Sequence, residues 1–165
     1  MNTSTDTTAT QLKDVMAGVC TPVAVVTAMD GARPHGTTVS AFASLSMTPP
    51  MVLVCLERGS ELLRIIRETE QFGMNILGSA HSDLATTFAR KGLDKFDSVD
   101  WDLRSGVPKL VGTSGWLACV VSQLVDGGDH VIAFGRVKEA TAADIQPLTY
   151  HKRKFGTHAP LESVR

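Results

Sequence analysis

A mainly β, antiparallel architecture with a few peripheral helices is what this sequence predicts, on three observations. Short β-branched or apolar runs of strand length recur along the chain. Two of them lead into Gly-containing hairpin signals, Asp30-Gly31 and Asp126-Gly127-Gly128-Asp129. Helical periodicity is confined to short segments. Runs of strands with few helices favour a barrel or sandwich over a parallel α/β sheet.

The elements follow in order. Residues 1–9 read as a disordered polar tail, and residues 10–165 as a single domain. Leu12, Val15, Met16 and Val19 recur at helical spacing, which predicts a short amphipathic helix ending near Gly18. Pro22 to Ala28 is β-branched and runs into the Asp30-Gly31 turn. The return segment, His35 to Ala43, is small and hydroxylated. Pro49-Pro50 forces extended backbone, and Met51 to Leu56 reads as a buried strand. Ser60 is placed to cap a helix whose apolar positions are Leu62, Leu63, Ile65 and Ile66. Phe72 to Leu77 is a further strand. Ser82 or Asp83 caps another helix, with Leu84 and Phe88 one turn apart. Gly92 to Pro108 reads as irregular. Trp116 to Val125 and His130 to Lys138 form a second hairpin. The segment from Pro147 onward, basic at Lys152-Arg153-Lys154, has no clear element.

Composition narrows the function classes. Of 165 residues, 43% are hydrophobic and 20% charged, the balance of a globular protein with a core. Lys and Arg number 16 against 17 Asp and Glu, without a basic stripe or an acidic block. Nucleic acid and anionic membranes are therefore not expected partners. Cys20, Cys55 and Cys119 are far apart and make no C-x-x-C or zinc spacing; Cys55 and Cys119 sit in apolar runs. A reduced, cytoplasmic protein is the simplest expectation. Met1 to Thr10 has neither the basic nor the apolar region of a signal peptide.

Familiar catalytic frameworks are missing. The chain has no G-x-G-x-x-G after a strand and no P-loop. Ser44, His130 and Asp129 can be written as a hydrolase triad, but no G-x-S-x-G elbow supports it. His81 with Asp83, and His151 with His158, lack a metal-ligand framework, so exposed side chains are expected at all four positions and no metal. The most informative segment is Thr37 to Ser46. If it is extended, Thr38, Ser40, Ser44 and Ser46 project hydroxyls from one face. Such a face leaves room for a flat ligand and offers donors to it. Period alone favours a solvent-facing strand edge over a ligand site.

In order and spacing, the chain resembles the flavin reductase-like family, whose fold is an FMN-binding split β-barrel and whose short members are the reductases of two-component flavin monooxygenases. The landmarks run from about Met16 to about Gly156. They are Gly18 to Thr27, Gly36 to Ser46, Pro49 to Cys55, Phe72 to Leu77, Leu84 to Ala89, Asp94-Lys95-Phe96 and Asp126 to Ile132.

The resemblance implies that a flavin lies against Thr38, Val39, Ser40, Ser44 and Ser46, with Thr21 and Pro22 near the ring. It carries over Asn75, Ile76 and Leu77 as further contacts, and Phe88, Ala89, Arg90 and Lys95 as the phosphate end, where a cation pairs with a dianion. It makes His130 the histidine of a Gly-Asp-His element close to flavin and nicotinamide, and so the catalytic candidate. Tyr150 is a further candidate contact. The implied activity is NAD(P)H-dependent reduction of FMN or FAD, with NADH or NADPH as co-substrate. A homodimer and a separate monooxygenase that receives reduced flavin complete the expectation. Two other classes stay open: a split-barrel flavoprotein that does not turn over NAD(P)H, and a non-enzymatic β-barrel binding module.

Overall fold

The computed structural model describes residues 3–92 and 94–161. Seven strands form its centre: β2 (Ala24–Asp30), β3 (Arg33–Val39), β4 (Phe42–Met47), β5 (Pro50–Glu57), β6 (Gln71–Ile76), β9 (Gly115–Gly127) and β10 (His130–Ala142). They make one antiparallel sheet in the order β3-β2-β6-β9-β10-β5-β4. The chain steps directly from one edge strand, β3, to the other, β4, through Ser40 and Ala41. That step obliges the sheet to curl until its edges approach, and Cys55 N donates to Ala41 O at 2.9 Å beside the junction. The result is a split barrel.

The barrel interior is filled from both the sheet and a helix. α2 (Glu61–Thr69) opens at Ser60, whose hydroxyl accepts from Leu63 N at 3.1 Å, and ends at Glu70 in the left-handed region. Its four apolar positions, Leu62, Leu63, Ile65 and Ile66, are all buried. They join Ala24, Val26, Val54, Leu56, Phe72, Met74 and Val131 in one core cluster, so the helix plugs the barrel. β2 is covered on both faces. Val23, beside its start, and Val25 on its outer face pack with Leu77, Ala85, Phe88 and Phe96 in a second cluster beneath α3 (Ser82–Ala89). Two-sided burial explains why Val23 to Ala28 reads as continuous apolar chain rather than an alternating pattern.

Two glycines are dictated by close approach. A Cβ at Gly135 would lie 2.4 Å from the Phe72 ring, and one at Gly36 would lie 2.8 Å from Phe88.

Several expectations are corrected. Helix α1 spans Thr3–Ala17, so the expected tail is helical from Thr3; the helix propagates back from Ala9, Gln11, Leu12 and Lys13 through Thr, Ser and Asp residues of low propensity. Residues 1–2 and 162–165 of the expected tail and domain lie outside the described residues. The α3 N-cap is His81, without a side-chain capping bond, rather than Ser82 or Asp83. Gly92 to Pro108 is not wholly irregular, since β7 (Trp101–Arg104) and β8 (Val107–Leu110) form a hairpin. Its turn residues Ser105 and Gly106 take φ of 49° and 80°, the paired left-handed turn that matches strand twist. The C-terminal segment forms β11 (Thr149–His151) and β12 (Lys154–Gly156), which extend β1 (Thr21–Pro22) into a small sheet. Lys152 and Arg153 make its turn at φ of 46° and 62°.

The cysteines divide as their burial dictates. Cys119 is buried, and desolvation pushes its thiol up to about 12; Cys20 is exposed and Cys55, against expectation, is only half-buried. Because the thiolate is the reactive species, alkylation at neutral pH is expected to label Cys20 and spare Cys119 until the protein is denatured. Peptide mapping after iodoacetamide checks this; native labelling of Cys119 as fast as Cys20 would contradict it.

Candidate functional site

Four separate chain segments line a cleft of two adjoining lobes. The first, of about 360 Å³, is lined by Thr37, Thr38, Val39, Ser40 and Ala41 from the β3–β4 passage. Cys55, Leu56 and Glu57 of β5, Ser60, Ala89 and His130 complete it. The second, of about 430 Å³, shares Thr37, Glu57, Ser60 and Ala89 with the first. It continues past His35, Gly36, Gly59 and Glu61 to Arg90, Lys91, Gly92 and Lys95. Each lobe falls in the range of roughly 300–1,000 Å³ typical of small-molecule sites.

His130 stands at the entrance of the first lobe because it opens β10, paired with Glu57 across β5 and with Gly127 across β9. The turn before it uses Gly128 at φ 68°, where a side chain would be strained. Its Nδ1 lies 2.8 Å from Asp129 Oδ1, which leaves Nε2 as the nitrogen available to a ligand. The hydrogen bond to His130, then its charge, holds the Asp129 carboxyl below the usual range. The imidazole side chain remains 45% exposed.

Lys95 closes the second lobe. Its Nζ donates to Gly36 O and to Phe88 O, each at 3.1 Å, the latter in the last turn of α3. A cation there suits the negative helix end, and a lysine ammonium has three donors, so one remains for a ligand. Burial moves its pKa below the ordinary lysine value. His35 is half-buried in the same lobe, and burial followed by the charge of Arg33 lowers its pKa, favouring neutral imidazole.

The cleft therefore gathers Thr38, Val39, Ser40, Ala89, Arg90, Lys95 and His130 among the candidate residues. The others lie elsewhere. The hydroxyl-bearing segment is not one extended strand, because it breaks at Ser40-Ala41 between the two sheet edges. Thr38 points its hydroxyl at α3, donating to Ala85 O at 2.7 Å. Ser44 and Ser46 lie on β4, where a register shift between them ends the even spacing. Neither lines the cleft.

Asn75 is fully buried. Its Nδ2 donates to Val25 O at 3.2 Å, Thr27 Oγ1 at 3.3 Å and Pro108 O at 3.4 Å, and its Oδ1 accepts from Leu110 N at 2.8 Å. It ties β6 to β2 and β8, so its side chain is a structural group. Ile76 packs against the barrel core, while Leu77 and Phe88 are buried in the second cluster. Phe88 reaches the site only through its carbonyl, which holds Lys95. Thr21 and Pro22 pair with Tyr150 and Thr149 in the small sheet, and the Tyr150 ring packs on Phe155 at 5.2 Å. None of these lines either lobe.

His81 is half-buried rather than exposed and its Nδ1 accepts from Gly78 N at 3.3 Å. Ser82 is half-buried beside it, and Asp83, like His151 and His158, takes no part in the cleft. Among the described residues, no group of three His, Cys, Asp or Glu side chains is placed to hold a metal. Lining residues unforeseen from the sequence include His35, Glu57, Gly59, Ser60, Glu61 and Lys91. Nothing in their local pattern distinguishes them, apart from the Ser60 cap, whose signal is that of a helix start.

Glycine-flanked walls, hydroxyls in one lobe and cations in the other characterise the cleft of this split-barrel protein. The Flavin reductase like domain matches residues 16–159, and the chain belongs to that family. It is 39% identical over 154 residues to the reductase component of 4-nitrophenol 4-monooxygenase/4-nitrocatechol 2-monooxygenase of Rhodococcus opacus, covering 93% of this chain and 83% of that one. It is 36% identical to a probable flavin reductase of Rhizobium meliloti over 88% of this chain, and spans about half of that longer protein, 48%. The Streptomyces globisporus NADH:FAD oxidoreductase SgcE6, solved with NAD and FAD fragments, superposes with a TM-score of 0.88. The two are 32% identical over 93% of this chain and 94% of that one.

Proposed function

We propose that the protein is an NAD(P)H-dependent flavin reductase that hands reduced flavin to a separate monooxygenase. The observation that carries this reading is that the lobe holding Ser40 and His130 shares a wall, Thr37, Glu57, Ser60 and Ala89, with the lobe holding Lys95 and Arg90. A flavin fits that donor set: hydroxyls and backbone for the ring, and cations for the phosphate.

A bound flavin would supply the acceptor for a hydride from the nicotinamide, chemistry that needs no protein nucleophile and depends on how the protein holds the two rings. The chain's part is to position. The β3–β4 passage would supply a wall for a flat ring, and Lys95 would hold the anionic end. His130, oriented through Nδ1 by Asp129, presents Nε2 at the mouth where a second ring would enter. A family relative that is a reductase component and a structural neighbour that is an NADH:FAD oxidoreductase both support the assignment.

A homodimer accompanies this reading. Leu12, Val15 and Met16 on α1 are 60%, 69% and 51% exposed, and Met47 on β4 is 79% exposed, apolar surface that a second copy would cover. No described helix is long and apolar enough to cross a membrane. A cytoplasmic setting, where NADH is supplied, is part of the same proposal.

The test is NADH and NADPH oxidation, followed at the nicotinamide absorbance, with FMN, FAD or no flavin. Flavin-dependent turnover is the expected result, with His130→Ala lowering kcat/KM for the nicotinamide by about 10- to 100-fold, in the range of one lost positioning contact. Flavin binding without turnover would move the protein to the flavoprotein class, and no flavin binding would leave only a binding module.

A further inference from the structure

The turn that leads into His130 is loosely built. Asp126, Gly127, Gly128 and Asp129 are all exposed. Its two glycines leave the backbone torsionally free, and a Cβ at Gly128, where φ is +68°, would meet nothing within 4 Å. Arg58, at the corner between β5 and α2, ties this turn down. Its backbone N donates to Asp129 O at 2.9 Å. From its side chain, Nε and Nη2 donate to Gly128 O at 3.3 and 3.0 Å, and Nη1 donates to Asp126 Oδ1 at 2.9 Å. We infer that Arg58 is a positioning residue for His130: by clamping the Asp126–Asp129 turn to the β5–α2 corner it holds the imidazole at the mouth of the cleft, and so sets the affinity for the nicotinamide nucleotide. This rests on the role proposed for His130 above.

The geometry favours positioning over bulk stability. The side chains of Arg58 and Asp126 are 47% and 72% exposed, and an ion pair so open to water contributes little to folding. A guanidinium, however, presents its donors in a rigid planar fork. Here the fork spans the Gly128 carbonyl and the Asp126 carboxylate, while the amide of the same residue holds Asp129. Attachment at three points removes the freedom that the glycines give. The hold passes directly to the imidazole. Strand pairing with Glu57 and Gly127 fixes the backbone of His130, but its ring is oriented by Asp129, 2.8 Å from Nδ1, and Asp129 lies in the turn. The same corner builds the cleft, since Glu57 lines both lobes and Gly59 the second. Arg58, between those two residues, thus fixes the ring relative to the wall it faces. Without the clamp the ring is in place for only a fraction of the time, and apparent affinity falls by that fraction.

The experiment compares the wild type with Arg58→Met, Arg58→Lys, His130→Ala and the double variant Arg58→Met/His130→Ala. Hydrogen–deuterium exchange on the protein without flavin reads the turn. Oxidation of NADH, or of NADPH if that is what the wild type uses, at saturating flavin gives KM and kcat. Arg58→Met should speed amide exchange across residues 126–130 by about tenfold, with the melting temperature almost unchanged. The backbone bond to Asp129 survives, so the KM for the nicotinamide nucleotide should rise only about three- to tenfold, with kcat within about twofold. Arg58→Lys keeps the charge without the fork and should restore the KM in part. In the His130→Ala background Arg58→Met should have no further effect, because nothing is left for it to position. Losses that multiply in the double variant would overturn the inference, as would an unchanged KM in Arg58→Met. So would an Arg58→Met protein that melts early and loses flavin affinity along with the nicotinamide, the mark of a merely structural residue. If the wild type oxidises neither nucleotide with FMN or FAD, the proposed function fails and the inference with it; the other failures, on an active wild type, count against Arg58 alone.

Discussion

Replacing Lys95 with methionine is expected to weaken flavin binding by about 10- to 100-fold, since a hydrogen bond from a charged donor is worth about 1.5–3 kcal/mol. The same substitution should lower the melting temperature, because the ammonium also satisfies Gly36 O and Phe88 O at 3.1 Å. Gly36 and Phe88 are both buried, so their carbonyls lose a donor that water does not readily replace, and the stability loss should fall within about 1–3 kcal/mol. Fluorescence titration and thermal melts separate the two effects. Lys95→Arg keeps the charge but replaces a compact three-donor ammonium with a planar fork, and should recover flavin affinity only in part. A Lys95→Met protein that melts early yet binds flavin normally would reduce Lys95 to a helix-end cation.

Asn75→Leu should cost stability on a larger scale, about 2–4 kcal/mol by urea denaturation, with no selective loss of flavin affinity in the folded protein. The side chain is fully buried, and one near-isosteric change removes every bond that joins β6 to β8 through it. Leu110 N loses its acceptor at 2.8 Å, and a buried unsatisfied donor costs about 1–3 kcal/mol. Pro108 O retains Thr27 Oγ1 at 2.7 Å, which limits the damage on that side. Unchanged stability with weakened flavin binding would restore Asn75 as a ligand contact and contradict its structural role.

The contrast between these two residues marks what local pattern can reveal. Both are candidates by family position. Lys95 lies in the cleft and Asn75 in the core, and only the packing of β8 over β6 and β2 separates them. Thr38 carries the same lesson. A two-residue period says that its side chain alternates with its neighbours, but it does not say that α3 lies opposite and takes its hydroxyl. The even spacing of Ser40, Ser44 and Ser46 loses its structural meaning where the chain crosses from one sheet edge to the other at Ala41.

Features whose interacting groups are neighbours along the chain can be read from the residues alone. The Ser60 cap and the apolar face of α2, the turns at Gly31 and Gly128, and the β-branched strands fall in this class, because torsional preference and hydrophobic period act over a few residues. The landmark order that marks the family is likewise read along the chain. The cleft belongs to the other class. His35, Ser40, Glu57, Ala89, Lys95 and His130 meet because the sheet curls, brings β3 beside β5 and lets α3 end over the gap. Which hydroxyls and cations share that space is settled by barrel closure, which couples strands far apart in sequence, and no local preference records that coupling.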